Sequence, residues 1–214
     1  MSINTKATLI LEFAKYPQPG SVKTRLAAKL GYGKACEIYD YMAQKTHREL
    51  LKLQEQGEAN VIVYADGADR QRISNWLKGA YDIWLQTDGA LGQRLEYGFC
   101  KAFEMGFRTV LAVGTDCPGL TAEKIQHAIG QLKQFDVAIV PSTDGGYVLI
   151  GTNTFQPDLF RQITWSSSQV LEQTLQRAKA NNLSVALLDP ETDVDTVEDL
   201  KTIKDKNLSV THRK

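Results

Sequence analysis

Four polar clusters in this 214-residue chain hold the groups that phosphate and metal chemistry need. The first, Pro17-Gln18-Pro19-Gly20-Ser21-Val22-Lys23-Thr24-Arg25, places two cations beside a hydroxyl where turn residues give way to a helix. Cations at a helix start, together with its free backbone amides, suit a di- or triphosphate, although a solvated turn has the same composition. The stretch is not a Walker A loop, because Val22 stands where glycine must directly precede Lys-Thr, and no G-x-G-x-x-G follows the first apolar run. In Gly114-Thr115-Asp116-Cys117-Pro118 an aspartate ends an apolar run. Its carboxylate can hold Mg²⁺ or Mn²⁺ whose remaining positions go to phosphate oxygens and water, or it can simply cap the turn. Asp144-Gly145-Gly146-Tyr147 is the strongest turn signal, and its glycines serve either tight turning or close approach of a ligand. In Asp189-Pro190-Glu191-Thr192-Asp193-Val194-Asp195-Thr196 the alternating Asp193 and Asp195 can send one carboxylate towards a metal. The residues themselves favour the plainer reading, in which Asp195 or Thr196 N-caps a last helix with Glu198 and Asp199 in its first turn.

Short apolar runs must position these clusters. Strands are expected at Thr8–Ala14, Asn60–Ala65, Asp82–Gln86, Arg108–Gly114, Phe135–Pro141, Gly145–Thr152 and Ser184–Asp189. Helical periodicity covers Thr24–Gln56, with a break near Gly31 and Gly33, then Arg70–Lys78, Leu91–Met105, Ser167–Asn181 and Val197–Lys204. Ile125, Ala128, Ile129 and Leu132 mark a further helix, completing a βαβ unit, and Ser166, Ser167 and Ser168 are candidate N-caps. This alternation predicts an α/β fold around a mostly parallel sheet. Only Ser142–Asp144 separates the fifth and sixth strands, too short for a parallel crossover, so the sixth is expected to be antiparallel. Parallel strands end on one side, which brings the clusters together in the crevice where open α/β sheets bind ligands.

Lysine and arginine balance aspartate and glutamate at 25 each, so no global field draws the chain to nucleic acid or an anionic membrane. Cys36, Cys100 and Cys117 make neither a disulfide framework nor a C-x-x-C motif, which fits a reducing, cytoplasmic setting. The first apolar run is interrupted by Glu12 and offers no membrane span. Length and even composition read as one domain over 1–214. His47, His127 and His212 form no constellation and read as incidental, Cys117 reads as a buried small residue, and Trp76, Trp84 and Trp165 are too scattered for a base-stacking platform.

Taken in order, Phe13-Ala14-Lys15, Gly20, Lys23-Thr24-Arg25-Leu26, Leu91-Gly92-Gln93-Arg94-Leu95, Gly114 to Pro118, Asp144 to Tyr147, Trp165-Ser166 and Asp193 to Thr196 resemble the radical-SAM/selenodomain-associated transferase 1, or glycosyltransferase-like, family of the nucleotide-diphospho-sugar transferase superfamily. The resemblance implies a GT-A-like three-layer αβα sandwich. It implies a transferase using a nucleotide-diphospho-sugar or a nucleoside triphosphate, Mg²⁺ or Mn²⁺, and a small-molecule acceptor. Relatives in that superfamily include 2-phospho-lactate guanylyltransferase. Carried onto these positions, Lys23, Arg25 and Asp116 are catalytic. Ala14, Lys15, Gly20, Thr24, Gly92 and Arg94 join Lys23 and Arg25 at the nucleotide. Asp144, Gly145, Gly146 and Tyr147 shape the acceptor side, and Asp116 and Asp195 hold the metal. Two features depart from the pattern: Gly119 and Leu120 follow Pro118 where the family commonly has an acid, and Thr115-Asp116-Cys117 is not a D-x-D.

Overall fold

The computed structural model describes residues 8–202; His212 and the end of the expected last helix, residues 203–204, lie outside them. In chain order the elements are β1 (Thr8–Lys15), α1 (Thr24–Leu30), α2 (Tyr32–Glu55), β2 (Ala59–Asp66), α3 (Arg70–Trp76), β3 (Asp82–Leu85), α4 (Leu91–Glu104), β4 (Thr109–Gly114), α5 (Ala122–Gln131), β5 (Val137–Pro141) and β6 (Tyr147–Thr152). A short 3-10 turn (Pro157–Leu159), α6 (Val170–Ala180), β7 (Val185–Leu187) and α7 (Val197–Thr202) complete it. The expected long first helix breaks at Gly31, whose φ of 80° ends α1 and begins α2.

The strands form one seven-stranded sheet in the order β3-β2-β1-β4-β6-β5-β7. β6 is antiparallel to both of its neighbours, β4 and β5, while the other pairings are parallel. The mixed, mostly parallel α/β sheet expected from the sequence is therefore the observed one.

Strand alternation sorts the core into two layers. Ile10, Val61 and Leu111 pack with Leu50 and Leu53 of α2 and Ile125 and Ala128 of α5. Leu9, Leu11 and Ile62 face the other way, against Leu95, Phe99 and Ala102 of α4 and Ala178 of α6. Leu95, Phe99 and Ala102 recur at helical spacing, which gives α4 one apolar stripe and fixes its rotation on the sheet. Both faces are covered, and the ends of β1, β2, β3, β4 and β5 open on the same edge.

One residue read as incidental is structural. Glu12, in the run of β1, is fully buried, and His47 of α2 meets it with Nδ1 2.6 Å from Oε2. His47 Nε2 lies 2.9 Å from the Lys78 carbonyl, which can only accept, so Nε2 carries a hydrogen. One further proton then lies between Nδ1 and Glu12. Burial pushes the Glu12 carboxyl above its ordinary value; for His47, burial acts downward but the hydrogen bond and charge of Glu12 and the Lys78 carbonyl together outweigh it and the net shift is upward.

Candidate active site

Lys23 is the centre of the site. It precedes α1 with φ 49° and ψ 48°, a left-handed conformation that costs a side-chain-bearing residue about 1–3 kcal/mol. That backbone turn sends the ammonium inward, where it lies 3.1 Å from Asp116 Oδ2 and 2.7 Å from Asp195 Oδ1, with the side chain only 4% exposed. Burial pulls its pKa down, but the charges of Asp116 and Asp195 overcome this and the net shift is up, so Lys23 is a fixed cation. Arg25, on the exposed face of α1, reaches Asp195 Oδ2 at 3.7 Å. α1 has only seven residues, so the cations, not a helix field, supply the site's positive charge.

Asp116 and Asp195 come from distant parts of the chain and are joined through backbone: the Val194 amide donates to the Asp116 carbonyl at 3.0 Å. Val194 is fully buried against Leu26 and Met42, which anchors the segment carrying Asp193 and Asp195. The last helix is capped by Thr196, not Asp195. Thr196 Oγ1 accepts from the Asp199 amide at 3.3 Å, and Asp199 Oδ2 accepts from the Thr196 amide at 2.7 Å, a reciprocal capping box. The Asp195 carboxylate is thereby left to the site.

Beneath them, the Tyr39 hydroxyl of α2 accepts from the Lys15 amide at 2.8 Å and lies 3.2 Å from Thr115 Oγ1. This buried bridge fixes the end of β1 against the turn after β4.

Two cavities meet at the carboxylate pair, sharing Phe13, Arg25, Leu91, Asp116 and Asp195 as walls. One, about 470 Å³, is polar: Ala14, Lys15, Ser21, Lys23, Thr24 and Arg94 line it with Asp66, Gln86 and Thr115. Arg94 Nη1 donates to Asp66 Oδ2 at 3.1 Å and to Gln86 Oε1 at 3.0 Å, closing its far wall. The other, about 560 Å³, has apolar and aromatic walls, including Leu95, Ile150, Tyr147 and Trp165, with Asp144 and Asp193 among its polar groups. Burial, then the neighbouring Asp144 carboxylate, raises the Asp193 pKa to about 6.

The structure brings most of the anticipated residues to these cavities and gives three glycines another place. Gly20 lies in an exposed turn with φ 88°, outside both cavities. Gly92 is closely packed: a Cβ there would stand 2.4 Å from Trp165 Nε1 and 2.6 Å from the Phe160 carbonyl, so its lack of a side chain seats Trp165. At Gly145, φ is 94° and a Cβ would meet the Ser168 carbonyl at 2.3 Å, so it clamps the serine turn, while Gly146 and Tyr147 line the larger cavity. The serines do not N-cap α6. Gln169 occupies that position without a side-chain cap, and Ser167 bridges the turn by donating to the Thr164 carbonyl at 2.6 Å.

Asp66 and Gln86 were not anticipated; their positions at the ends of β2 and β3 were the available signal. At the departure after Pro118, a side chain on Gly119 would collide with Glu191 Oε2 at 2.3 Å, so Glu191 fills that space and pairs with Lys124. Burial raises the Cys117 thiol to about 12, consistent with a packing residue.

A divalent ion fits this arrangement. Asp116 Oδ1 is enclosed without a hydrogen-bond partner although Oδ2 is held by Lys23, leaving a carboxylate oxygen for a metal. Among the described residues no group of three or more His, Cys, Asp or Glu could hold an ion by itself. An ion bound here would be a hard cation held by one or two carboxylates, with its remaining positions open to other oxygen ligands.

A mixed, mostly parallel seven-stranded sheet with a polar crevice at its strand ends is the α/β architecture of nucleotidyl- and glycosyltransferase-like proteins. The chain belongs to the DUF2064 family, described as uncharacterized protein conserved in bacteria, whose profile matches residues 49–167. A proposed nucleotide-diphospho-sugar transferase from Desulfovibrio desulfuricans G20 is 34% identical, with 91% of this chain and 85% of that one covered at a TM-score of 0.85. The 4-diphosphocytidyl-2C-methyl-D-erythritol synthase of Anaerococcus prevotii DSM 20548 shares the fold at 12% identity and a TM-score of 0.59, covering 92% and 95% of the two chains. A nucleotidyl transferase from Methanothermobacter thermautotroptrophicus does so at 15% identity and 0.59, covering 91% and 95%. Curated protein sequences offer no match.

Proposed function

We propose that this protein is a two-substrate transferase, a glycosyltransferase that takes a nucleotide-diphospho-sugar in the polar cavity and an acceptor in the aromatic one. The observation that carries this reading is the pair Asp116 and Asp195 on the wall shared by both cavities, bridged by Lys23 from the polar side, where a reacting group from each side can meet. The 34% identical relative, itself a proposed nucleotide-diphospho-sugar transferase, supports it. So do the ordered motifs shared with the radical-SAM/selenodomain-associated transferase 1 group.

In this reading Lys15, Lys23, Thr24, Arg25 and Arg94 hold the donor, with Lys23 and Arg25 at its phosphates. Asp116 and Asp195 hold Mg²⁺ or Mn²⁺, which when bound supplies charge for the departing diphosphate. Lys23 holds the two carboxylates together in register and faces the charge that grows on the leaving group. Tyr39 and Thr115 hold the strand ends that carry these groups.

Nucleotidyl transfer from a nucleoside triphosphate is the second reading, favoured by one observation: the carboxylates come from two separate loops and not from a D-x-D. Thermal-shift titration with nucleoside triphosphates and nucleotide-sugars, each with and without Mg²⁺ or Mn²⁺, tests both. The expected result is metal-dependent stabilisation by a nucleotide-sugar, about 2.7 kcal/mol at a hundred times Kd. It is abolished by Asp116→Asn together with Asp195→Asn. Metal-dependent stabilisation by a triphosphate alone selects nucleotidyl transfer, and no response to either class rejects a nucleotide-dependent enzyme.

A further inference from the structure

The two cavities differ in charge, and the difference bears on the acceptor. Among the described residues lining the larger cavity, Arg25 is the sole cation, and it lies beside Asp195 with its side chain 75% exposed. Four carboxylates, Asp116, Asp144, Asp193 and Asp195, line the same space. The Asp144 carboxylate is fixed by its own turn, accepting from the Gly146 amide at 3.0 Å and from Ser142 Oγ. Two rings, Tyr147 and Trp165, line the same cavity edge to face at 6.2 Å. Trp165 is braced by its seat on Gly92, and the Tyr147 ring packs with Trp165 in the core layer over this face of the sheet. Asp116 and Asp195 are paired with Lys23, which leaves Asp144 and Asp193 as the carboxylates a phosphorylated acceptor would meet with its dianion, with one exposed arginine to receive it, whereas rings beside apolar side chains present flat surface to an uncharged molecule.

Resting on the two-substrate reading above, we infer that the acceptor is a phosphate-free hydroxyl compound with a flat apolar or sugar-ring face, stacked in the cavity of Tyr147 and Trp165. Transfer then forms a bond from the acceptor oxygen to the sugar anomeric carbon as that carbon's bond to the β-phosphate oxygen breaks. The bonding pair leaves on the nucleoside diphosphate, and the acceptor proton passes to water. Asp144 and Asp193 act as specificity determinants that repel anionic acceptors.

The experiment uses the full chain without nucleotide and two probes that differ by one phosphoryl group, phenyl β-D-glucopyranoside and its 6-phosphate, followed by tryptophan emission. The glucoside is expected to give a saturable change that Trp165→Phe abolishes, and the 6-phosphate to bind at least about tenfold more weakly. Asp144→Asn combined with Asp193→Asn should narrow that gap, a result that does not depend on Trp165→Phe folding normally. Equal or tighter binding of the 6-phosphate, or no saturable Trp165-dependent change with either probe, overturns the assignment. Nucleotide binding is followed separately by thermal shift in the same protein, so failure of the donor reading and failure of the acceptor class are told apart.

Discussion

Two lysine-to-carboxylate contacts hold the candidate site together, and Lys23 is the residue on which both depend. Lys23→Met keeps the length of the side chain but leaves Asp116 and Asp195 facing each other without a cation. The expected result is loss of the nucleotide-induced thermal shift and a fall in transfer rate of about 10²–10³-fold, the scale for removing one donor from a developing charge. His47 is the contrasting case. His47→Ala strands the buried Glu12 carboxyl and should lower unfolding free energy by about 3–5 kcal/mol in urea titrations, with nucleotide affinity measured well below the melting transition unchanged. Neither pairing could be read from the sequence. Glu12 was visible only as an interruption in an apolar run, and nothing in a helix marks which buried neighbour a histidine will meet. Asp195 illustrates the same limit: its residues fit a cap as well as a metal ligand, and only the Thr196–Asp199 box shows which side chain does the capping.

At the scale of elements, strand patterning was highly legible because short apolar runs buried on both faces leave few alternatives. All seven expected strands exist, and the brief link before β6 was sufficient to predict its antiparallel course. Loop conformation was not legible. Three serines before an apolar stripe look like caps, yet Gly145 pulls their turn towards the sheet: the Leu171 amide donates to the Gly145 carbonyl at 2.9 Å. Gly145→Ala must adopt φ near 94° and push the Ser168 carbonyl away, so it should destabilise the fold by about 1–3 kcal/mol. Because that turn lines the aromatic cavity, the glucoside probe should bind more weakly while nucleotide binding holds. Gly92→Ala should act on the same cavity from below by displacing Trp165, read as a change in its emission before any ligand is added.

For the whole molecule, the Glu12–His47 pair makes stability depend on pH. The one proton shared by the pair is held more tightly than by a free imidazole, whose ordinary value is 6.5. Above that value the folded state therefore binds more protons than the unfolded one, and stability falls as pH rises. The pair's contribution is lost as pH climbs from the ordinary His value through the raised folded one. The melting temperature should decline from mildly acidic to mildly alkaline buffer, and His47→Gln should flatten that decline. Among the described residues no helix is long and apolar enough to cross a membrane. The Lys23–Asp195 contact spans 172 positions. As the chain leaves the ribosome, β1 and α1 are made long before the loop that completes their site. A nascent chain therefore holds Lys23 and Arg25 without the second carboxylate until synthesis has passed Asp195. Assembly of the complete cluster is thus coupled to completion of the sheet.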